Sequence, residues 1–183
     1  VEILFIHDPD ANADEAILEA YPELDRMRSE GIIKAIGVGM NQCETPTRVI
    51  KETDIDMVLI AGRYSLLDQK AMKELLPTAL ARNVDIIAAG VFNSGILANP
   101  VKGATFDYFP ASDELLAKAL RIREVLEGHK VSLTSAALQF PLRHPAVKSV
   151  LVGCRSAAEV ATNITEFDKT IENKVWDDLV SVL

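Results

Sequence analysis

The residue best suited to proton chemistry is His7, which follows the apolar run Val1–Ile6 and precedes Asp8-Pro9. An imidazole changes charge near neutral pH and can protonate or polarise a carbonyl. The competing reading is a histidine satisfied by a neighbouring backbone group. His129 and His144 lie in polar contexts and read as surface residues. The histidines have no metal-ligand spacing. Cys43 and Cys154 are far apart with no Cys-x-x-Cys, so neither a zinc site nor a disulfide framework is indicated. No Gly-x-Ser-x-Gly elbow is present, which leaves a serine hydrolase unsupported.

A second chemistry is anion binding. Gly90-Val91-Phe92-Asn93-Ser94-Gly95-Ile96-Leu97 is a small-residue loop entering a short helix, where free backbone N–H groups suit a phosphate. It is neither a P-loop nor Gly-x-Gly-x-x-Gly. Gly153-Cys154-Arg155-Ser156, with Glu159 and Asn163 beyond, makes another candidate: Arg155 offers charge and Ser156 a helix N-cap. A plain salt bridge and a plain cap are the alternatives. In Gly37-Val38-Gly39-Met40-Asn41-Gln42, Asn41 or Gln42 could hydrogen-bond an amide, against the alternative of an ordinary Gly-rich turn. Tyr64 could stack on a ring or cap a barrel.

The elements that must carry these residues alternate. Strands are expected at Val1–Ile6, Ile32–Val38, Asp56–Ala61, Val84–Ala89 and Val147–Val152. Helical spacing covers Asp14–Glu30, with Ile17, Leu18, Tyr21, Leu24 and Met27 on one side, and Gly31 as its stop. Further helices are expected at Pro46–Glu52, Asp68–Arg82, Asp113–Glu127, Leu133–Leu142, from Ala157, and at Val175–Leu183. Gly90–Pro110 reads as a long loop.

Strands apolar on both faces, alternating with helices, imply a parallel sheet covered by helices. That sheet is either open and doubly wound or part of a (β/α)8 barrel, which typically needs about 250 residues. Consecutive phosphate-friendly loops after the last two strands favour the barrel. Val1 opens inside an apolar strand pattern, so a truncation, a processing site or further chain upstream is expected.

The 183 residues are 49% hydrophobic with net charge −8. No basic face points to nucleic acid. No apolar run is long enough for a membrane span and no signal peptide is evident. Sparse cysteine suggests a cytoplasmic location.

Several segments, in order along nearly the whole chain, resemble the aldo-keto reductase superfamily. They are Ile3-Leu4-Phe5-Ile6-His7-Asp8-Pro9, Ala35-Ile36-Gly37-Val38-Gly39-Met40-Asn41-Gln42 and Leu59-Ile60-Ala61-Gly62-Arg63-Tyr64-Ser65-Leu66-Leu67-Asp68-Gln69. The Gly90–Leu97 loop and Ala136-Ala137-Leu138-Gln139-Phe140-Pro141-Leu142-Arg143-His144-Pro145 resemble the branch containing D-threo-aldose 1-dehydrogenase (L-fucose dehydrogenase) and pyridoxal 4-dehydrogenase.

The resemblance implies a TIM barrel binding NAD or NADP, with residues 1–183 forming strands four to eight of one barrel domain, the N-terminal strands lying outside this sequence. It implies hydride transfer between the nicotinamide and an aldose hemiacetal or another aldehyde or alcohol. Of the family's Asp, Tyr, Lys and His tetrad only the histidine falls here, on His7, so the chain alone is expected to be inactive. The alternative is a barrel fragment with residual nucleotide binding or an assembly role. The pyrophosphate loop corresponds to Phe92, Asn93, Ser94 and Gly95, and the adenosine-phosphate loop to Gly153, Cys154, Arg155 and Ser156, with Asn163 toward the adenine. The family's common Ser-Asn falls on Gly39 and Met40, with Asn41 next. A common glutamine is replaced by Ala61, and a nicotinamide-stacking aromatic by Ala89. Glu159, where NADP-specific members carry a basic residue, favours NAD. The expected partners are a small carbonyl or sugar substrate and, over exposed sheet edges, the remaining half of a barrel or a second copy.

Overall fold

The computed structural model describes residues 1–183. Parallel strands β1 (Ile3–His7), β2 (Ala35–Met40), β3 (Met57–Ala61), β4 (Asp85–Ala89) and β7 (Val147–Leu151) form one sheet in the order β1-β2-β3-β4-β7. A doubly wound sheet reverses direction at a switch point. Here every strand adds beyond its predecessor, which is the winding of a (β/α)8 barrel, and the sheet is an arc of one.

Burial alternates accordingly. Val58, Ile60, Ile86 and Ala88 are fully covered, while Met57, Leu59 and Ile87 on the opposite face are only partly so. The covered face lies under the helices. The other face is the concave side, which the interior of a closed barrel would fill.

The first helical stretch runs through α1 (Ala13–Glu15), a π-helical segment Ala16–Ala20 and α2 (Tyr21–Ser29). Pro22 explains the widened turns: it has no N–H for the Leu18 carbonyl, and its ring crowds that oxygen. The apolar stripe shifts phase there, so Ile17 is buried but Leu18 is 72% exposed, contrary to the sequence expectation. β2 also starts later than expected, since Ile32 is exposed and Gly31 turns the chain at φ +73. Gly39 and Met40 are therefore strand residues, and Asn41 is the first residue beyond the strand.

Helix α3 spans Glu44–Glu52. Only Leu75–Arg82 of the expected Asp68–Arg82 helix is α-helical, as α4. The Asp68 carboxylate accepts the Lys70 N–H at 2.9 Å, and this local turn competes with helix. The loop after β4 contains an unexpected hairpin, β5 (Thr105–Phe106) and β6 (Phe109–Pro110), with Asp107 and Tyr108 at positive φ in its turn. Helix α5 covers Asp113–Gly128. Helix α6 (Leu133–Gln139) ends before Pro141 and continues as a 3-10 turn, Phe140–Arg143. Helices α7 (Ala157–Phe167) and α8 (Asn173–Leu179) complete the chain. No helix is long and apolar enough to cross a membrane.

Candidate active site at the strand ends

Parallel strands align their C-terminal ends, and that end collects the candidate residues. His7 pairs with Gly39, Gly39 with Leu59, and Leu59 with Ile87. Paired residues share a face, so His7 stands on the concave side, at the last position of β1. Its side chain is 84% exposed and its one polar neighbour is Asp8, with Oδ2 at 3.6 Å from Nδ1. That is not a histidine occupied by a backbone group. Ala61 and Ala89 pair on the same face just above Leu59 and Ile87. Their small side chains leave this end of the concave face shallow.

Phe5 lies one layer below His7 and its ring crosses Gly37, where a Cβ would stand 2.4 Å from the Phe5 Cε1. The family's serine and asparagine positions, Gly39 and Met40, supply no polar group, because Met40 is buried in the core. Asn41 and Gln42 are exposed beyond β2, and Gln42 donates to Asp10 at 3.0 Å.

The loop after β4 is held from below. Gly90 takes φ +62, and an added Cβ would meet the Gly62 nitrogen at 3.0 Å. Asn93 is buried, with its amide donating to the Gly62 carbonyl at 3.1 Å and its oxygen accepting from Ser65 Oγ. Its side chain is thus a strut that shapes the loop and is not offered to a ligand, which corrects the cofactor-contact reading of Asn93. Phe92 leans on the core, while Ser94 and Gly95 face outward. Ser94 Oγ accepts the Tyr108 N–H at 3.0 Å, which ties the hairpin to the loop.

Of the two readings of Tyr64, the structure fits the packing one. It is buried, 5.2 Å from the Phe140 ring and edge-on to His144 at 6.1 Å, and burial pushes its phenol pKa up. The ring belongs to the core and is not free to stack on a ligand. His144 is likewise no surface residue: its Nδ1 accepts the Ala146 N–H at 3.2 Å, and burial lowers its pKa. His129 reaches Asp178 of α8 at 2.9 Å. Burial raises the Cys43 thiol to about 11, so it stays protonated and unreactive.

After β7, Gly153, Cys154, Arg155 and Ser156 are all exposed. Ser156 caps α7, accepting the Glu159 N–H at 3.2 Å. Glu159 takes the Arg155 N–H at 2.8 Å and its guanidinium at 3.0 Å, and these contacts lower the carboxyl's pKa, the backbone bond most. Asn163 donates to Cys154 Sγ at 3.3 Å. Open space surrounds the position of a Cβ at Gly95 and at Gly153. Both loops therefore present bare backbone on which a dinucleotide phosphate could rest. No group of three or more His, Cys, Asp or Glu side chains is placed to hold a metal ion.

Two clusters had no signal in the sequence beyond their residue types. Arg63, nearly buried, bonds Asp107 of the hairpin turn at 2.9 Å and approaches Asp68 at 3.7 Å. Glu166 of α7 accepts from Lys169 at 2.6 Å and from the hydroxyls of Ser132, which caps α6, and of Ser135 within it; these bonds, Lys169's first, bring its pKa down to about 2.

The chain is 38% identical over 98% of its length to D-threo-aldose 1-dehydrogenase from Pseudomonas sp, covering 55% of that protein. It is 43% identical over 86% of its length to pyridoxal 4-dehydrogenase from Microbacterium luteolum, covering 46% of it. It thus spans about half the length of the curated relatives it matches. The fold superposes on the holo form of an aldo-keto reductase from Bacillus halodurans with TM-score 0.81 at 20% identity, over 100% of this chain and 60% of that one. The family profile for aldo/keto reductases matches residues 1–183, and the chain belongs to the aldo/keto reductase family.

Proposed function

We propose that this chain supplies the cofactor-binding half and one catalytic residue of an NAD(P)-dependent oxidoreductase acting on an aldose hemiacetal or another small aldehyde or alcohol. The observation that carries the reading is His7, free and concave-facing, at the same end of the sheet as two open glycine loops. Its imidazole would hold the substrate oxygen in place. The nicotinamide supplies the hydride chemistry when bound. Ser94 would meet the pyrophosphate through its backbone N–H, with Gly95, whose own N–H donates to Phe92, leaving room for the close approach, and the Gly153–Ser156 loop would meet the adenosine phosphate, with Asn163 toward the adenine. Asn41 remains the candidate for the carboxamide. Glu159 neutralises Arg155 and so removes the cation a 2′-phosphate would need, which favours NAD over NADP. The two unpaired cysteines suit a reducing cytoplasm.

The test is turnover of a D-threo-aldose or pyridoxal with NAD⁺ and with NADP⁺, using these residues in a complete eight-stranded barrel. His7→Ala is expected to lower kcat by about 10²-fold or more, and His144→Ala far less. Equal effects would return His7 to a structural role. A lower KM for NADP⁺ than for NAD⁺ would overturn the cofactor preference.

A second reading, for the 183-residue chain alone, is an inactive arc that binds nucleotide or assembles. It is favoured by the groove of about 470 Å³ beside edge strand β7, lined by Val150, Val152, Val160, Ile164 and Phe167 among others. The remaining strands of a barrel, or a second copy, would cover it. Turnover by a preparation containing only this chain would exclude that reading.

A further inference from the structure

Resting on the reading of Ser94 as a pyrophosphate contact, we propose that Arg63 is a positioning residue for that phosphate. Through Asp107 it holds the β5–β6 hairpin against Ser94, and the hairpin fixes the Ser94 backbone so that its N–H is ready for the anion. Arg63 acts through the hairpin and not on the nucleotide itself.

The contacts begin beneath the hairpin. The Arg63 side chain is 14% exposed and lies between two carboxylates. Asp68, itself buried, stands 3.7 Å from Nη1 and offsets the charge from one side. Asp107 takes both guanidinium arms: Nη1 donates to Oδ1 at 3.0 Å, and Nη2 lies 2.9 Å from Oδ2. Such a fork fixes direction as well as distance. A Cβ at Gly62 would stand 3.7 Å from Asp107 Oδ1 and 3.6 Å from Asn93 Nδ2, so both side chains reach the end of β3 at one spot.

Asp107 and Tyr108 are the central residues of the hairpin turn, at φ +50 and +67. Turns of this kind favour Asn-Gly, and a bulky side chain at positive φ is strained. The strands pair only Thr105 with Pro110 and Phe106 with Phe109, which holds such a turn weakly. The Arg63 fork supplies the missing hold. The turn then delivers its backbone to the phosphate loop. The Tyr108 N–H donates to Ser94 Oγ at 3.0 Å, and Thr105 Oγ1 donates to the Ser94 carbonyl at 2.9 Å. Ser94 sits at φ +59, and its own N–H donates to no backbone carbonyl. With hydroxyl and carbonyl both held, the direction of that free N–H is set before a ligand arrives.

The experiment is calorimetric binding of NAD⁺ and of AMP to the complete barrel, for the wild type, Asp107→Gly, Arg63→Lys and the double variant. Glycine keeps the left-handed turn without the carboxylate, and lysine keeps a charge beside Asp68 without the fork. Each single variant is expected to weaken NAD⁺ about tenfold and the double variant no further, while AMP, which would occupy only the Gly153–Ser156 loop, keeps its affinity. Unchanged NAD⁺ affinity, additive losses, or AMP weakening in step with NAD⁺ would overturn the proposal. If neither variant folds, amide exchange in the nucleotide-free wild type decides: the Tyr108 N–H is expected to be protected, and free exchange would show that the hairpin is not held. A wild type that binds AMP but not NAD⁺ would instead sink the reading of Ser94 as a phosphate contact, and this proposal with it.

Discussion

At the scale of single residues, the loops are shaped by side chains that point into the fold. Asn93 has the composition of a ligand contact but works as a strut, its amide spent on Gly62 and Ser65. Asn93→Ala strands the Ser65 O–H and leaves the Gly62 carbonyl only a long contact with Arg63 at 3.5 Å, and should cost about 1–3 kcal/mol by denaturant unfolding, the range for an unpaired buried group. Ser94→Ala, at an exposed position, should cost under about 1 kcal/mol in the same assay. Comparable losses would mean that the Asn93 contacts contribute nothing beyond the surface hydroxyl. The sequence alone could not separate these neighbours. Which of two adjacent polar residues points inward is decided by φ at Gly90, Asn93 and Ser94, and positive φ at a non-glycine residue has no reliable signature in composition.

At the scale of elements, the βα rhythm was legible because a buried parallel strand must be apolar on both faces and a covering helix on one. The five main strands were found within a few residues for that reason. What escaped has a local cause each time. The π-helical segment follows from Pro22 in an otherwise regular apolar pattern, and Leu18 was misassigned with it. The short hairpin pairs only Thr105–Phe106 with Phe109–Pro110, and its Asp-Tyr turn lacks the glycine that usually marks such a reversal. Tyr64 looked like a strand-end aromatic because its partner, Phe140, is remote in sequence. The α6–α7 tie was equally silent, yet it bears on the site, since α7 carries the Gly153–Ser156 loop at its start. Glu166→Ala removes three bonds to α6 and Lys169, and should lower stability by about 1–3 kcal/mol. Nucleotide affinity should fall with it, although Glu166 touches no ligand. The pH dependence has a definite sign. The folded pKa is depressed, to about 2, from the ordinary 4.5. The stabilisation is thus complete above the unfolded value and is lost as pH falls through 4.5 toward the folded one. Acid unfolding of Glu166→Ala should be shallower over that window than that of the wild type, and superimposable curves would refute the assignment.

At the scale of the whole molecule, the arc ends in two unpaired strand edges, β1 and β7, and carries a half-covered concave face. Exposed edges and apolar surface drive association. In sedimentation velocity at micromolar concentration the isolated chain should run above its 20.0 kDa monomer mass, and a lone monomer would show that the arc tolerates its open edges. The connection between β4 and β7 has a different consequence, in the order of folding. β1, β2 and β3 each pair with the next strand in sequence, whereas Ile86 of β4 must find Val147 across the hairpin and two α-helices. Closing that long loop costs entropy before any contact compensates it. β7 should therefore dock last and open first, with its amides exchanging faster than those of β3. The loop after β7 exists only once β7 has docked, so a nucleotide bound there would stabilise the final folding step, and NAD⁺ should slow hydrogen exchange most in β7.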